Sequence, residues 1–346
     1  MVSMANCPFC YSLFPMSTDY KPLILSSLET MRLGETAKGE SFKARAYKKA
    51  IDALKRLDGP ILTAEAVKNV DGVGKKIYEK ITEIVATGGL QAAERMKANT
   101  NVGAFDTLLQ VHGIGPVKAR ELLAQGIRSI ADLRSAFAAN PDLLNETQVK
   151  GLHFYEAGIQ RIPRPEMMQH ESVLLGSLAS PLTGTIVGSY RRGALDSGDV
   201  DMLVTYPVTM DDKTAQKAFV GFVQELTRQK YVVEKLAGGA KKWMGYVRLG
   251  PSGIPRRLDL LLTPPAEFAY ALLYFTGSDR FNVAFRRHCL DLGYTLNEHT
   301  MKPTTKGEEK GVRAVPPMAN EKDIFDFVGL RFVAPTERIN GQVVPK

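Results

Sequence analysis

Two aspartates that stand two residues apart carry the strongest chemical signal in this sequence. Asp199 and Asp201 lie at the start of the apolar segment 200–206, whose composition predicts a β-strand. Because successive side chains of a strand alternate between its two faces, both carboxylates should point to the same side. Neighbouring carboxylates repel each other unless a divalent cation neutralises them, and their oxygens suit Mg²⁺. The alternative interpretation is a surface turn with two solvated aspartates.

A third acid lies in another apolar segment further along the chain. Asp259 follows Arg256-Arg257-Leu258 and precedes three leucines, where burial of an unpaired charge would be costly. On a strand next to the first, it would complete a site for two metal ions, which activate an attacking hydroxyl and stabilise the charge on a leaving pyrophosphate. The three carboxylates therefore predict nucleotidyl transfer, with little acid–base work left for other side chains.

Composition and charge limit the classes of protein to be considered. The 346 residues suffice for two or three domains, and 44% hydrophobic with 24% charged residues argue against a disordered or fibrous chain. No apolar run reaches the roughly 18 residues of a membrane span. Three cysteines without a secretory signal point to the cell interior, and Cys7 and Cys10 are expected to be free thiols. The net charge of +8 favours a polyanionic partner.

The basic residues lead into a repeated pattern. Segment 38–80 contains eleven basic and six acidic residues. Within and beyond it, Val-Asp-Gly-Val-Gly at 70–74 (hairpin 1) recurs as Val-His-Gly-Ile-Gly at 111–115 (hairpin 2). The repeat resembles the helix-hairpin-helix motif, in which glycines permit a tight turn and the next helix offers free N–H groups to a DNA phosphate. That resemblance implies a monovalent cation, Na⁺ or K⁺, at the backbone carbonyls of Val70, Val73, Val111 and Ile114.

Two lysines after hairpin 1 are candidates for a second chemistry. Lys76 and Lys80 are four residues apart and therefore share one face of a predicted helix. Crowded ammonium groups favour a neutral amine, which can attack the aldehyde of an abasic sugar. The resulting Schiff base would permit β-elimination of 5′-deoxyribose phosphate. The alternative is that both lysines only bind phosphate.

The order of predicted elements divides the chain into a helical part and a mixed part. Helical patterns continue to about residue 155, and the proline-bounded segment 161–165 is the best candidate for a linker. Beyond it, strands are predicted at 184–188, 200–206, 231–233, 246–249 and 258–262. The second half is therefore expected to be an α+β domain.

Three segments of the second half together resemble the signature of one enzyme family. They are Gly188-Ser-x-Arg-Arg-Gly-x-x-x-Ser-Gly-Asp-x-Asp201, Arg-Arg-Leu-Asp259 and Tyr274-Phe-Thr-Gly-Ser-Asp-x-Phe-Asn282. The chain thereby resembles the family X DNA polymerases of the DNA polymerase beta type, over nearly everything after residue 38. The resemblance implies a multidomain fold: all-α N-terminal lyase and helix-hairpin-helix domains, then an α+β nucleotidyltransferase palm with a small C-terminal α/β subdomain.

The same resemblance implies roles for individual residues of the polymerase site. Asp199, Asp201 and Asp259 are implied to be catalytic ligands of two Mg²⁺ ions, for which Mn²⁺ can substitute. The positions implied to bind the deoxynucleoside triphosphate are Arg161, Gly188, Ser189, Arg192, Ser197, Gly198, Tyr274, Phe275, Gly277, Asp279 and Asn282. Asp196 is an extra acid beside the triphosphate loop, and the sign of its effect is open.

Further positions are implied to act on DNA. Lys80 matches the Schiff-base lysine, whereas Lys43 and Lys76 match a pocket for a 5′-phosphate. The remaining positions implied to contact DNA are Gly72, Gly74, Gly113, Gly115, Lys242, Arg257 and Arg286.

We therefore predict five segments: a flexible tail (1–18), a helical lyase domain with hairpin 1 (19–95), a DNA-binding thumb with hairpin 2 (96–163), a catalytic palm (164–265) and a nucleotide-selecting subdomain (266–346).

The predicted function is DNA-directed filling of short gaps in base excision repair, by a monomer that binds gapped or nicked double-stranded DNA and deoxynucleoside triphosphates. We expect transient contacts with repair proteins such as a ligase, and no membrane. The nucleus follows from the resemblance, although a viral or organellar enzyme would look the same. Template-independent nucleotidyl transfer and a non-catalytic DNA-binding scaffold are the two alternatives.

Overall fold

The computed structural model describes residues 18–57, 59–309, 311–339, 341 and 343–346. The predicted tail at 1–18, with Cys7 and Cys10, lies outside these residues except for its last position. The chain forms two compact units, of which the first ends at Val102 and the second comprises Gly103–Lys346. None of the described helices combines the length and the apolar character that crossing a membrane requires.

The first unit consists of helices around an aliphatic core. Its helices are α1 (Lys21–Ala37), α2 (Ser41–Arg56), α3 (Lys75–Thr87) and α4 (Gln91–Lys97), and α5 (Thr100–Leu109) begins at its end. Side chains of three of these helices form much of the core: Ile24, Leu28, Ile51, Leu54, Ile77, Ile81 and Ile84. The isoleucines of α3 recur at spacings of four and three, which places them on one helix face. The other face of α3 is therefore left to polar residues.

The second unit opens with short helices that surround hairpin 2. After α5 come α6 (Pro116–Ala124), α7 (Ile130–Ala139), α8 (Glu146–His153) and α9 (Tyr155–Gly158). Proline occupies the first turn of α6, where its missing N–H costs no helical hydrogen bond. Helices α7 and α8 each begin with a capping box, so their first turns are fixed by the local sequence.

A five-stranded mixed sheet is the centre of the second unit. Its strands are β2 (Thr183–Ile186), β4 (Val200–Thr205), β5 (Val232–Gly238), β6 (Lys242–Val247) and β7 (Arg256–Leu262), in the order β2-β4-β7-β6-β5. Only the pair β4 and β7 is parallel. Helices α10 (Arg164–Ser177) and α12 (Asp212–Arg228) bury their apolar residues against one face, where Met202, Leu258 and Leu260 lie. Because strand residues alternate, Asp201 and Asp259 belong to the other face.

That other face is partly covered by the C-terminal subdomain. Helix α13 (Pro265–Thr276) packs Ala271 against Leu203 of β4. The subdomain continues with α14 (Asp279–Asp291), a β8–β9 hairpin (Tyr294–Leu296 and Met301–Pro303), α15 (Thr305–Glu309) and α16 (Glu321–Phe327). Its own core contains Phe281, Phe285 and Phe325. Helix α13 therefore joins the subdomain to the same face of the sheet to which Asp201 and Asp259 belong.

Three details of the predicted organisation differ from the structure. Segment 161–165 is not an open linker, because Ile162–Pro163 (β1) pairs with Asp196–Ser197 (β3) and Ile162 is buried in the core of the sheet. The strand expected at 246–249 is β6, which starts at Lys242 because Trp243 fills a buried position. The strand expected at 231–233 continues to Gly238 as the edge strand β5, whose polar residues reach solvent. The predicted fold class, helical domains followed by an α+β palm and a small mixed subdomain, is confirmed.

Candidate active site

The three predicted carboxylates lie on or next to two parallel strands, β4 and β7. Asp201 on β4 is the register partner of Asp259 on β7, and Asp199 directly precedes β4. The chain at Gly188 also lies close to these acids, because a Cβ placed on Gly188 would lie 3.1 Å from Asp201 Oδ2. Gly188 also has a φ of +64°, which favours glycine. Both properties let the chain turn from β2 into α11 (Gly188–Arg191) directly against the acid.

The environment of these acids disfavours their charged forms. Burial raises the pKa of Asp201 to about 7, and repulsion from Asp199 and then Asp259 adds to the shift. Burial also raises the pKa of Asp259, and its Oδ1 is buried without a hydrogen-bond partner among the described residues. Acceptor oxygens that lack donors and repel one another are suited to a hard divalent cation.

A guanidinium supplies part of the missing positive charge. Arg257 Nη2 lies 2.6 Å from Asp199 Oδ2 and 3.6 Å from Asp259 Oδ2. Among the described residues, no group of three His, Cys, Asp or Glu side chains is close enough together to hold a metal ion. The donor set nevertheless fits a divalent cation, because Asp259 Oδ1 is buried without a donor among the described residues and Asp201 is repelled by both Asp199 and Asp259. Lys242 on the neighbouring β6 also favours the charged forms of both acids.

The predicted triphosphate-binding residues surround a small loop next to the acids. Ser189 Oγ donates a hydrogen bond to Ser197 Oγ at 2.9 Å, which joins α11 to β3. On the other side, a Cβ added to Gly198 would lie 3.1 Å from Nη1 of Arg161. The pairing of β1 with β3 is what brings Arg161 to this loop, although it is far away in the sequence. The structure thus gathers these predicted residues beside Asp199.

Arg161 is already engaged by a neighbouring acid. Its Nε and Nη2 donate hydrogen bonds to Asp196 Oδ1 at 3.0 and 2.6 Å, and Nη2 also donates to the Asp196 carbonyl at 3.2 Å. The extra acid noted in the sequence is therefore the ion-pair partner of a predicted phosphate ligand.

The predicted nucleotide-contacting residues of the subdomain form a second connected group. Arg192 Nη1 donates to the Thr276 carbonyl at 2.7 Å, which ties the loop to the end of α13. Asn282 Nδ2 donates to the Tyr274 carbonyl at 2.7 Å. Gly277 lies between these groups, and the ring of Phe275 contacts Tyr274 edge to face at 5.2 Å. Other predicted residues join the group: Asp279 favours the charged form of Arg192, and Arg286 lines a small cleft with Tyr274 and Asn282.

Hairpin 2 borders the acid cluster. A cavity of about 390 Å³ separates the two and is lined by Val111, His112, Gly113, Ile114, Gly198, Asp199, Tyr246 and Arg257, among others. Burial lowers the pKa of His112, and Arg257 acts in the same direction. The turn is closed by an Ile114 N–H that donates to the Val111 carbonyl at 3.0 Å, and Gly113 has a φ of +86°. Gly115 then caps the start of α6.

Hairpin 1, in the first unit, has the same backbone arrangement. The Val73 N–H donates to the Val70 carbonyl at 2.9 Å, Gly72 has a φ of +100°, and Gly74 caps α3. Lys76 is exposed and Lys80 is half-buried, one helical turn further along α3.

The third lysine of the predicted lyase site has acidic partners. Lys43 Nζ lies 3.8 Å from Glu35 Oε2 and 3.4 Å from Glu40 Oε2. Glu35 is itself buried, with Oε2 lacking a hydrogen bond among the described residues. Two carboxylates therefore compete with any phosphate that Lys43 would bind.

Sequence reasoning missed an ion-pair network that joins the palm to the subdomain. Glu321 on α16 accepts hydrogen bonds from Arg191 Nη2 at 2.8 Å and from Arg338 Nη1 at 2.6 Å. Arg338 is buried among the rings of Phe281, Phe325 and Phe332. The partners are up to 130 residues apart, so no local pattern identifies them. The acidic start of α16, with its capping box, was the only sequence signal nearby.

Four models of known protein domains together match most of the chain. Residues 19–90 match a helix-hairpin-helix domain and 106–157 the fingers domain of DNA polymerase lambda. Residues 161–265 match the DNA polymerase beta palm and 271–339 the DNA polymerase beta thumb. These descriptions use "fingers" for the segment around hairpin 2, which is called the thumb above, and "thumb" for the C-terminal subdomain.

Individual relatives agree with the family models. The chain is 32% identical to DNA polymerase lambda of Rattus norvegicus over 335 residues, covering 93% of the chain and 57% of the relative. It is 29% identical to DNA polymerase lambda of Arabidopsis thaliana, with coverages of 92% and 63%. It is 26% identical to the DNA polymerase type-X family protein pol4 of Schizosaccharomyces pombe, with coverages of 92% and 64%. The chain thus spans about three-fifths of the length of these relatives. A nucleotidyltransferase palm with three convergent aspartates, flanked by these domains, defines the class, and the chain belongs to family X of the DNA polymerases.

Proposed function

We propose that the protein is a DNA-directed DNA polymerase that fills short gaps during DNA repair. It adds a deoxynucleoside monophosphate to a primer 3′-hydroxyl and releases pyrophosphate. The observation that carries this proposal is the register of Asp201 with Asp259 on parallel strands, with the loop of Ser189, Ser197 and Gly198 at their side. Membership of family X and the similarity to DNA polymerases of Rattus norvegicus and Arabidopsis thaliana support the same activity.

Asp199, Asp201 and Asp259 are the proposed ligands of two Mg²⁺ ions, with Mn²⁺ as a substitute. When bound, such ions lower the pKa of the attacking hydroxyl and stabilise charge on the leaving pyrophosphate. The protein's own contribution is positional. Asp259 holds the end of the primer beside β7, and the strand register fixes its distance from Asp201.

The remaining residues of the site bind and orient the nucleotide. Arg161 and Arg192 provide positive charge for the triphosphate, and the backbone at Gly188 and Gly198 can approach it closely because no Cβ intervenes. Tyr274, Phe275 and Gly277 border the sugar, Asp279 and Asn282 border the base, and Arg286 reaches toward the template.

Hairpins 1 and 2 are proposed to grip the DNA backbone without reading its sequence, with Na⁺ or K⁺ at their carbonyls. Lys242 and Arg257 add positive charge near the acids. We propose that the protein works as a monomer on gapped or nicked DNA in the nucleus, within base excision repair, with transient contacts to proteins such as a ligase.

A lyase activity of the first unit is the second part of the proposal. The Nζ of Lys80 attacks the C1′ aldehyde of an abasic sugar and loses water to form a Schiff base. Loss of a C2′ proton then breaks the C3′–O bond and leaves a 5′-phosphate on the downstream strand. The half-buried position of Lys80, one turn from the exposed Lys76, supports this assignment. Lys43 would assist only after releasing Glu35 and Glu40.

The polymerase proposal is tested by insertion of one nucleotide into a one-nucleotide gap that bears a 5′-phosphate. The comparison substrate is the same primer and template without the downstream strand. We expect templated insertion that is faster on the gap and that disappears in Asp259→Ala. The matched control is Glu225→Gln, which alters a half-buried carboxylate on α12, outside the site.

Three other results would change the proposal. No insertion with Mg²⁺ or Mn²⁺ would leave a DNA-binding scaffold. Addition that ignores the template would indicate a template-independent transferase. Equal rates with and without the downstream strand would remove the gap-filling role while keeping the polymerase.

A further inference from the structure

The ion pair between Arg161 and Asp196 lies at the protein surface, where it adds little to the stability of the fold. Both partners are strongly exposed, with 58% and 52% of their side chains accessible. Exposed pairs of this kind contribute little to stability, because water and salt screen them. The pair nevertheless uses the bidentate edge of the guanidinium, Nε and Nη2. That edge is the one best suited to grip phosphate.

The backbone holds the two side chains together at the triphosphate loop. In the β1–β3 ladder, Ile162 is the partner of Ser197 and Pro163 is the partner of Asp196. Arg161 precedes β1, and its Nη1 lies against Gly198 at the opposite end of β3. The carboxylate of Asp196 therefore reaches Arg161 without any movement of the chain, next to the loop where the nucleotide phosphates are proposed to bind.

A carboxylate in this place has two electrostatic effects on a triphosphate. It neutralises the charge of Arg161, and it occupies donors that phosphate oxygens would otherwise accept from. It also places a negative charge near a strongly negative ligand, at distances where screening by salt is only partial. Both effects weaken binding of the nucleotide.

We propose that Asp196 competes with the triphosphate of the incoming nucleotide for Arg161 and thereby lowers the affinity of the polymerase site for nucleotides. This inference rests on the proposed function, because it concerns the same nucleotide site. It assigns a sign to the extra acid: Asp196 is a negative determinant of nucleotide affinity, and neutralising it tightens binding.

The test is the Kd of the correct deoxynucleoside triphosphate with Mg²⁺, measured by calorimetry on the complex with one-nucleotide-gap DNA whose primer ends in a dideoxynucleotide. The variant is Asp196→Asn, which keeps the oxygen acceptor for Arg161 and removes the charge. We expect the Kd to fall about threefold to tenfold, which corresponds to roughly 0.7–1.4 kcal/mol. The gain should shrink between low and high salt, because the interactions involved are exposed.

Two controls connect the effect to Arg161. Glu225→Gln removes the charge from the carboxylate of another Arg–carboxylate pair, Arg228–Glu225, with the same separation of 2.6 Å but on α12, and it should leave the Kd unchanged. In an Arg161→Gln background, Asp196→Asn should change the logarithm of the Kd by less than half as much as it does in the wild type, because Arg161 is no longer there to be competed for.

Each outcome decides the question. A lower Kd that depends on Arg161 and on salt supports the proposal. An unchanged or higher Kd in Asp196→Asn overturns it, as does an equal gain without Arg161. Insertion by the wild type on the same DNA with a 3′-hydroxyl tests the proposed function separately. If the wild type inserts a nucleotide but Asp196→Asn does not change the Kd, only the inference is overturned. If Asp196→Asn lowers the Kd in a salt-dependent way but the wild type inserts nothing, only the polymerase proposal is overturned. If no variant binds nucleotide, both are overturned.

Discussion

Asp201 and Asp259 are direct neighbours across the one parallel strand pair of the described sheet, β4 and β7. The Cα positions are in register, so the two carboxylates leave the same face of the sheet at the same level. Burial raises the pKa of both groups, and repulsion from Asp199 acts in the same direction on each. Two adjacent, buried carboxylates suit a ligand that neutralises negative charge. Without such a ligand, we expect their repulsion to lower the free energy of unfolding.

Asp259→Asn should therefore change activity and stability in opposite directions. We expect insertion to fall at least about 1000-fold, because the variant lacks one of the three proposed metal ligands. In EDTA, however, the variant should melt roughly 2 °C or more above the wild type, because a buried repulsion is relieved. Single-turnover insertion and thermal unfolding measure the two effects. A variant that is less stable in EDTA would show that Arg257 already compensates the charge fully.

Lys80→Ala should abolish the covalent trapping of the protein on DNA. The Schiff base requires a primary amine, and reduction with borohydride converts it into a stable cross-link. The substrate is DNA with a 5′-deoxyribose phosphate at a gap, and the cross-link is read on a denaturing gel. We expect a loss of at least about 100-fold. Lys55→Ala, which alters another half-buried lysine of the first unit, is the matched control. Undiminished trapping in Lys80→Ala would move the nucleophile to another amine.

The buried His170 should make stability depend on pH. Its Nδ1 lies 2.5 Å from the Tyr231 hydroxyl, and burial lowers the pKa of His170 to about 4, compared with 6.5 for an ordinary histidine. Between these pH values the unfolded chain binds the extra proton and the folded protein does not, so stability is lost as pH falls through this window. The loss should approach about 3 kcal/mol.

Urea unfolding at pH values from 4.5 to 7.5 measures this dependence. His170→Gln should flatten the profile, whatever its effect on absolute stability, because the titrating group is gone. His153→Gln, at an exposed position, should leave the slope unchanged. An identical slope in the wild type and His170→Gln would place the titration elsewhere.

Gly151→Ala should disturb hairpin 2 from the far side. A Cβ at Gly151 on α8 would lie 2.1 Å from the His112 carbonyl oxygen, so the turn or the helix must shift. We expect a loss of about 1–3 kcal/mol in stability and weaker binding to duplex DNA. Gly176→Ala on α10 meets no atom within 4 Å and should instead stabilise, by up to about 1 kcal/mol. Chemical denaturation and DNA titration check both variants. Unchanged DNA affinity in Gly151→Ala would separate hairpin 2 from DNA binding.

The sequence predicted the parts of the site that depend on local periodicity. Asp199 and Asp201 could be placed on one face because strand side chains alternate, and both hairpins could be recognised because their glycines recur at fixed spacing. The apolar segment around Asp259 also predicted its strand correctly. In each case a few consecutive residues determine the conformation.

Partners that are distant in sequence could not be predicted in this way. Arg161 meets Asp196 only because β1 pairs with β3, and that pairing turned the expected linker into part of the palm. Likewise, Arg256 is buried against Glu166, 90 residues earlier, through bonds of 2.7 and 2.8 Å. Such contacts are decided by tertiary packing, which a pattern of single residue types does not encode.

Hairpins 1 and 2 belong to different compact units of the chain. If each holds a phosphate backbone as proposed, weakly and without reading its sequence, the two together make the protein a bivalent ligand for DNA. Once one hairpin has bound, the other meets the duplex at a local concentration set by the connecting chain, commonly about millimolar for short connections. DNA long enough to reach both is then retained through repeated partial releases, whereas a fragment that reaches only one escapes quickly.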